Sequence, residues 1–182
     1  MSTETHLTME ELEENLDELR LSPRDKGSLR MIVRRPRSGE REVIEEGSLS
    51  VEEGLSGDNW SRRNPGAPLD VDRQLTIMNA RVAGLLAQQE DRWHLFGDQL
   101  YIDLELSEEN LPTGTRLALG GAVIEVTSID HTGCKKFAER FGVDAVKFVS
   151  APPGKELRLR GIYAKVVQPG PIRVGDLARK LR

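Results

Sequence analysis

Apolar and polar residues alternate along much of this chain, which is the spacing typical of β-strands with one buried face. Strands are predicted at 28–35, 41–46, 74–78, 99–106, 116–119, 122–127 and 157–167. The clearest hairpin joins 116–119 to 122–127 through Gly120-Gly121. Segment 99–106 is predicted to be half-buried, and 157–167 to be one long strand. Gly170-Pro171 is predicted to be a turn, after which 172–176 closes the domain.

Helical spacing occurs in fewer places. Met9, Leu12, Leu16 and Leu19 recur every three to four residues after Thr8, which forms a capping box with the glutamate three positions on. This predicts an amphipathic helix within 1–27, an appendage that lies on the main domain or mediates self-association. Short helices are also predicted at 80–87, after residue 134 and at 144–149.

Strands therefore dominate, with no regular β-α-β alternation and no internal repeat. The expected fold is mostly β with short helices, a closed or nearly closed mixed β-barrel over 28–182 plus the N-terminal amphipathic helix. A chain of 182 residues has room for one well-formed core and is short for two.

Composition narrows the class of protein. Hydrophobic residues make up 37% and charged residues 31%, and no apolar run approaches the ~18–20 residues of a membrane span. The N-terminus lacks the pattern of a secretory signal, and one cysteine forms neither an internal disulfide nor a thiolate-rich zinc site. These features predict a cytoplasmic protein that has no membrane partner.

Charge is distributed unevenly. Residues 1–60 hold 15 acidic and 8 basic side chains, whereas residues 131–182 hold 12 basic and 4 acidic ones. The basic third predicts an anionic partner near Cys134, although scattered cations also serve simply as a solvated surface. Nucleic acid is a weaker expectation, because the chain carries a net charge of −4 and only 4% aromatic residues.

Cys134 is the main candidate for chemistry. It stands where a strand leads into a helix, and a helix N-terminus favours the thiolate. Lys135 and Lys136 add positive charge beside it. The alternative is a buried structural thiol, because Cys134 shares its helix face with Phe137 and other apolar residues. His131 is a candidate to tune the thiolate or donate a proton, or else a structural hydrogen-bonding group.

Segment 54–66 is a glycine-rich loop with polar and aromatic residues and no apolar periodicity. Loops on a rigid scaffold often carry function, which makes Asp58, Asn59 and Arg62 candidates for lining a site. An ordinary turn with solvated charges explains the same composition.

The order of several short motifs resembles the MOSC domain, the C-terminal domain of molybdenum cofactor sulfurases. The motifs are Gly57-Asp58, Gly97-Asp98, the Gly120 hairpin, the lone Cys134 followed by lysine, and the closing segments 161–167 and 170–176. The resemblance covers residues 29–177. This chain departs from the family at His131-Thr132-Gly133, where many members have arginine and proline before the cysteine.

The resemblance implies a stand-alone bacterial β-barrel protein in which Cys134 carries a persulfide or ligates molybdenum in a pterin (molybdopterin) cofactor. Lys135, Lys136, Arg158 and Arg160 would hold the anionic phosphate or oxyanion. Pyridoxal phosphate is not expected in this chain alone, because 182 residues leave no room for a desulfurase domain. A separate sulfur donor or reductase protein would then be a partner, and reduction of N-hydroxylated compounds is an activity implied at family level.

Two other functions remain open. The barrel could be a non-catalytic module for an anionic small molecule or a partner protein, or the N-terminal helix could make the protein a homo-oligomeric scaffold. The discriminating observation is whether Cys134 opens towards a basic pocket or faces packed side chains.

Overall fold

The computed structural model describes residues 5–182, which fold around a β-barrel flanked by short helices. The strands are β1 (Lys26–Arg34), β2 (Glu42–Ile44), β3 (Glu46–Ser50), β4 (Gly54–Leu55), β5 (Leu75–Asn79), β6 (Leu100–Ile102), β7 (Arg116–Leu119), β8 (Ala122–Asp130), β9 (Ile162–Gln168), β10 (Gly170–Arg173) and β11 (Leu177–Lys180). The helices are α1 (Met9–Glu14), α2 (Leu16–Arg20), α3 (Ala80–Ala87), α4 (Lys135–Phe141) and α5 (Val143–Ser150). Short 3-10 helices lie at Trp60–Arg62, Val71–Arg73 and Glu90–Phe96.

Seven strands close the barrel in the order β1-β6-β5-β9-β8-β7-β11, and β11 pairs back onto β1. The β5–β6 pair is parallel and the other pairs are antiparallel, so the sheet is mixed. This confirms the prediction of a closed mixed β-barrel. The parallel pair needs a crossover, which α3 and the 3-10 helix Glu90–Phe96 supply. A small second sheet has the order β10-β3-β4.

The barrel wall separates two hydrophobic cores, because successive side chains of a strand point to opposite faces. Ile77 and Leu100 belong to the core inside the barrel. Met78 and Tyr101, the residues that follow them, belong to a second core between the barrel and the helices. Phe137 of α4 completes this second core, which anchors the helix that follows Cys134.

The predicted N-terminal helix is present as two short helices that break at Asn15. The Thr8 capping box forms as the sequence indicates, and the Asn15 side chain donates to the Glu11 carbonyl oxygen at 2.8 Å. Such local bonds compete with helix continuation. Leu12 and Leu19 are buried in the second core, so these helices pack against the barrel domain in this chain.

The prediction for segment 99–106 was wrong in length and in burial. Strand β6 covers only Leu100–Ile102, and all three of its residues are buried. One face lies in the barrel, whereas Tyr101 on the other face donates from its hydroxyl to the Trp93 carbonyl oxygen at 2.7 Å. The 3-10 helix thus covers the face that the alternating pattern assigned to solvent.

The long strand predicted at 157–167 was also wrong at its start. Strand β9 begins at Ile162, and residues 151–160 form bends and turns. Arg158 has a φ of 50° and Gly161 a φ of 121°, which are incompatible with an extended chain. The alternation of apolar and polar residues did not indicate these two positive φ angles.

The C-terminal segment differs from its prediction as well. Gly170-Pro171 begins strand β10, which pairs with β3, instead of forming a turn. Closure of the barrel depends on β11, which lies beyond the segment 172–176 predicted to close the domain. None of the helices in residues 5–182 has the length and apolar character to cross a membrane.

Candidate functional site

The loop between β8 and α4 carries the candidate cysteine. Cys134 is the N-cap residue of α4, is exposed, and makes no side-chain capping bond. Helix α4 is anchored to the second core, because Phe141 stacks on Phe96 with ring centroids 3.9 Å apart. The apolar face of α4 is therefore formed by Phe137 and Phe141 and excludes Cys134. The interpretation of Cys134 as a buried structural thiol is wrong.

The side chain of His131, in contrast, is only 10% exposed at the start of the same loop. Its Nδ1 lies 3.6 Å from the Oδ1 atom of Asp98, and its ring is 4.7 Å from that of Tyr163. Burial lowers the pKa of His131 to about 4, and this outweighs the opposite effect of the Asp98 charge. The imidazole is therefore neutral at pH 7.

Gly161 explains how the chain fits beside this histidine. A Cβ atom there would lie 2.4 Å from the Ile77 carbonyl oxygen and 3.3 Å from His131 Nδ1. The positive φ of Gly161 is also a conformation that other residues rarely adopt. Only glycine lets β9 begin this close to His131.

Arg160 and Asp98 form a buried ion pair next to the histidine. Arg160 Nη1 donates to Asp98 Oδ2 at 2.6 Å, and Nη2 donates to the Phe96 carbonyl oxygen at 3.3 Å. The guanidinium also lies over the Phe137 ring, 5.1 Å from its centroid. Arg160 thereby connects the barrel to α4.

A second buried ion pair is formed by Arg35 and Asp58. Asp58 accepts from the Nε and Nη2 atoms of Arg35 at 2.9 and 2.8 Å, from the Arg35 backbone N–H and from that of Trp60. Arg35 also donates to the Gly97 carbonyl oxygen at 3.2 Å. This pair ties the glycine-rich loop to the Gly97-Asp98 segment.

Between the two pairs lies a cavity of about 310 Å³, called here the arginine cavity. Its charged and aromatic lining consists of Arg35, Trp60, Arg63, Asp70, Arg73, Asp98, His131, Arg160 and Tyr163. Asp70 pairs with Arg73, and the side-chain acceptor of Arg63 is the neutral Asn59 amide at 3.2 Å. Arg63 is thus the lining cation whose charge no carboxylate within ion-pair distance offsets in residues 5–182.

The pKa of Arg63 agrees with an electropositive cavity. Partial loss of water lowers the pKa of Arg63, and the Arg35 charge lowers it further. Several buried polar atoms of the lining also have no hydrogen-bond partner, among them Arg160 Nε, His131 Nδ1 and Asp98 Oδ1. Among these atoms Arg160 Nε is an unsatisfied donor, which suits an anion next to the surplus positive charge, whereas Asp98 Oδ1 is an unsatisfied acceptor.

Three predicted site residues lie around this cavity and others lie elsewhere. His131 and Arg160 line the cavity, and Asp58 supports it from behind. Asn59 accepts from Arg63, whereas Arg62 points away and donates to the Pro36 carbonyl oxygen. Lys135 and Lys136 are exposed on α4 and do not line it. Arg158 donates to the Leu111 carbonyl oxygen at 2.8 Å.

The sequence analysis did not single out Arg35, Arg63, Arg73, Asp98, Trp60 or Tyr163 as site residues. One usable signal was present, because the motif Gly97-Asp98 contains the aspartate at the centre of the site. Within residues 5–182, no three histidine, cysteine, aspartate or glutamate side chains group into a metal site. A metal here would have to bring most of its ligands with a cofactor.

The chain thus combines a closed mixed β-barrel with an exposed cysteine and a cavity whose lining includes several arginines. The family model of the MOSC domain matches residues 58–179, so the chain belongs to the MOSC family. A comparison with curated protein sequences finds no match.

Solved structures share the fold. The YiiM protein from Escherichia coli superposes with a TM-score of 0.55 at 20% identity, covering 85% of this chain and 70% of that one. The YuaD protein from Bacillus subtilis gives a TM-score of 0.57 at 15% identity, covering 86% and 97%. At these identities the likeness concerns the fold alone.

Proposed function

We propose that this chain is a stand-alone MOSC protein in which Cys134 is the reactive sulfur and the arginine cavity holds the anionic group of a pterin cofactor. The observation that carries the proposal is the loop 131–134. One end, His131, forms part of the cavity wall, and the other end presents an exposed thiol. An anion bound by the arginines would thus lie on the same side of the barrel as the sulfur.

The residues present fit a molybdenum cofactor in two respects. The arginine cavity offers surplus positive charge and one unsatisfied donor, Arg160 Nε, which suit a phosphate group. The Cys134 sulfur is a soft ligand that suits a molybdenum centre, and its exposure leaves it free to bind one. When bound, such a centre supplies two-electron redox chemistry, of which reduction of N-hydroxylated compounds is the family-level example.

As a sulfur carrier, Cys134 would work without a metal. The thiolate Sγ attacks the outer sulfur of a donor persulfide, a new S–S bond forms on Cys134, and the donor leaves as its own thiolate. The sulfane sulfur is transferred from the donor to Cys134, so no external oxidant is needed. The donor would be a separate protein or a small persulfide, because this chain has a single cysteine.

The test is to express the protein with molybdate, purify it anaerobically, and measure molybdenum and sulfane sulfur. The wild type is expected to carry one of them, and Cys134→Ser to carry neither. Equal amounts in both proteins would contradict the role of Cys134.

The cavity is tested with pyrophosphate by calorimetry. Arg63→Ala should weaken binding by about tenfold or more, because a hydrogen bond from a charged donor is lost. Arg62→Ala is the matched control, since this neighbouring arginine contacts the Pro36 carbonyl instead of the cavity. Equal pyrophosphate affinities of the two variants would contradict the proposal that the arginine cavity binds the anion.

One observation favours a second candidate, a non-catalytic module for an anionic small molecule. Cys134 lines neither the arginine cavity nor the smaller cavity next to it, so the anion site is complete without the thiol. This candidate predicts pyrophosphate binding that Cys134→Ser leaves unchanged, with no molybdenum and no sulfane sulfur in the wild type.

A further inference from the structure

A second cavity lies on the other side of His131 and Arg160. It has a volume of about 160 Å³ and is enclosed by the end of β8, the loop 131–133, the end of α5 and the segment 155–162. His131 and Arg160 line both cavities, so they form the partition between them. This second space is called here the partition cavity.

Half of the partition cavity is apolar. Ile129, Val149 and Ile162 contribute hydrocarbon surface, and Gly133 and Gly161 add no side chains that would fill the space. An engineered apolar cavity of about 150 Å³ holds benzene, which sets the size of the molecule that fits here. The partition cavity therefore has room for one small ring or a branched chain of similar volume.

The other half is polar and carries surplus positive charge. Lys155, Arg158 and Arg160 line it against a single carboxylate, Asp130. Arg158 donates to the Leu111 carbonyl oxygen of a neighbouring loop, and this bond holds its charge at the cavity wall. Lys155 is exposed at the rim, and no carboxylate in residues 5–182 lies within ion-pair distance of it.

The partition itself contains buried polar atoms without partners. Arg160 is 7% exposed, and its Nε has no hydrogen-bond acceptor within the described chain. The buried Nδ1 of His131 likewise has none. Unsatisfied buried polar groups are costly, and because His131 and Arg160 line both cavities, a ligand in either one would offset that cost by supplying a partner.

We propose that the partition cavity binds a small organic anion, its hydrocarbon part against Ile129, Val149 and Ile162 and its acidic group towards Lys155. This site is distinct from the arginine cavity, which holds most of the arginines and whose aliphatic lining consists of Ala67, Pro68 and Leu69. It stands whether or not Cys134 carries sulfur or molybdenum, because the cavity contains no cysteine.

Benzoate is a suitable probe, since it joins a benzene-sized ring to one carboxylate. Titration into cofactor-free protein, followed by amide NMR, is expected to give saturable shifts at Val149, Ser150 and Ile162. Benzylamine, with the same ring and the opposite charge, should bind at least fivefold more weakly.

Two variants locate the site. Lys155→Glu should weaken benzoate binding by about fivefold or more through loss of an ion pair and gain of a repulsion. Lys147→Glu, the same change on an exposed part of α5 outside the cavity, should leave it within twofold. Ser150→Leu replaces an exposed lining residue with a larger one and should weaken binding by occlusion without disturbing the core.

Three results would overturn the proposal: no saturable shifts with benzoate, shifts confined to the Trp60 and Arg63 side, or equal affinities for benzoate and benzylamine. Unchanged binding in both Lys155→Glu and Ser150→Leu would do the same. A failure of this kind leaves the pyrophosphate and Cys134 experiments unaffected, because those measure the other cavity and the thiol.

Discussion

The buried pairs Arg35–Asp58 and Arg160–Asp98 have the same chemistry but differ in how many hydrogen bonds their carboxylates accept. Asp58 accepts four hydrogen bonds, three of them from Arg35. Asp98 accepts one short bond from Arg160, and its second oxygen lies 3.6 Å from His131 without a hydrogen bond. A buried charge pair is favourable only when its remaining hydrogen-bonding capacity is met.

This difference distinguishes a pair that stabilises the fold, Arg35–Asp58, from a pair beside the candidate site, Arg160–Asp98. The Arg35–Asp58 pair has little capacity left for a ligand and holds the loop that forms one wall of the arginine cavity. The Arg160–Asp98 pair, with His131, keeps unsatisfied atoms at the junction of two cavities. Unsatisfied polar groups at buried positions are costly, so a ligand that supplied the missing partners would offset that cost.

The largest effect is expected from breaking the complete pair. Asp58→Ala leaves the Arg35 charge buried without its partner, so the free energy of unfolding should fall by about 3–5 kcal/mol. Urea denaturation measures this. Glu42→Ala, which breaks the exposed Arg34–Glu42 pair, should cost about 1 kcal/mol or less. Losses of equal size would mean that burial of the Arg35–Asp58 pair is irrelevant.

The next effect concerns His131 and pH. The pKa of His131 is about 4 in the folded protein and about 6.5 in the unfolded chain, so the unfolded chain takes up the proton first as pH falls. Stability present above pH ~6.5 should therefore be lost towards pH ~4, by up to about 3 kcal/mol.

The charges that face the ring are Asp98, Arg160 and Arg35. His131→Gln retains them and removes only the titrating group, so its unfolding free energy should lack this part of the pH dependence. The free energy of unfolding is measured for both proteins by denaturation at several pH values from 7 to 4. The same pH dependence in the wild type and in His131→Gln would refute the prediction.

A smaller effect is expected from the incomplete pair. Asp98→Asn keeps an oxygen that can accept from Arg160 but removes the carboxylate charge, so the free energy of unfolding should fall by about 1–3 kcal/mol. The same change raises the positive charge of the arginine cavity, so pyrophosphate should bind several-fold more tightly and restore part of the stability. Denaturation with and without pyrophosphate tests both effects, and unchanged or weaker binding would contradict the second.

The smallest effect belongs to the thiol. Cys134→Ser should lower the free energy of unfolding by no more than about 0.5 kcal/mol, because the side chain is exposed and caps nothing. A loss comparable with that of Asp98→Asn would show that the sulfur contributes to packing.

Local features of this fold were predictable from sequence. The capping box at Thr8, the hairpin around Gly120-Gly121 and the helix after Cys134 each depend on residues close together in the chain. The errors involve contacts with other elements: Tyr101 is covered by the preceding 3-10 helix, and Arg158 donates to Leu111, 47 residues away. No periodicity encodes which element will cover a given face.

The site shows the same division. Cys134 was identifiable because it is the single cysteine at the start of a helix. Arg35 was not, because its partner Asp58 is 23 residues away and the pair exists only once β1 and the glycine-rich loop meet. Arg62 and Arg63 are equivalent in sequence, yet only Arg63 lines the cavity.

By itself, the sequence determined the mostly β fold, the short helices and the position of the one thiol, since alternation, turn residues and composition act locally. The tertiary structure decided that Cys134 is exposed, that His131 and Arg160 divide two cavities, and which arginines face inward. The physical reason is that burial and electrostatic environment come from residues far apart in the chain, which only the closed barrel brings into contact.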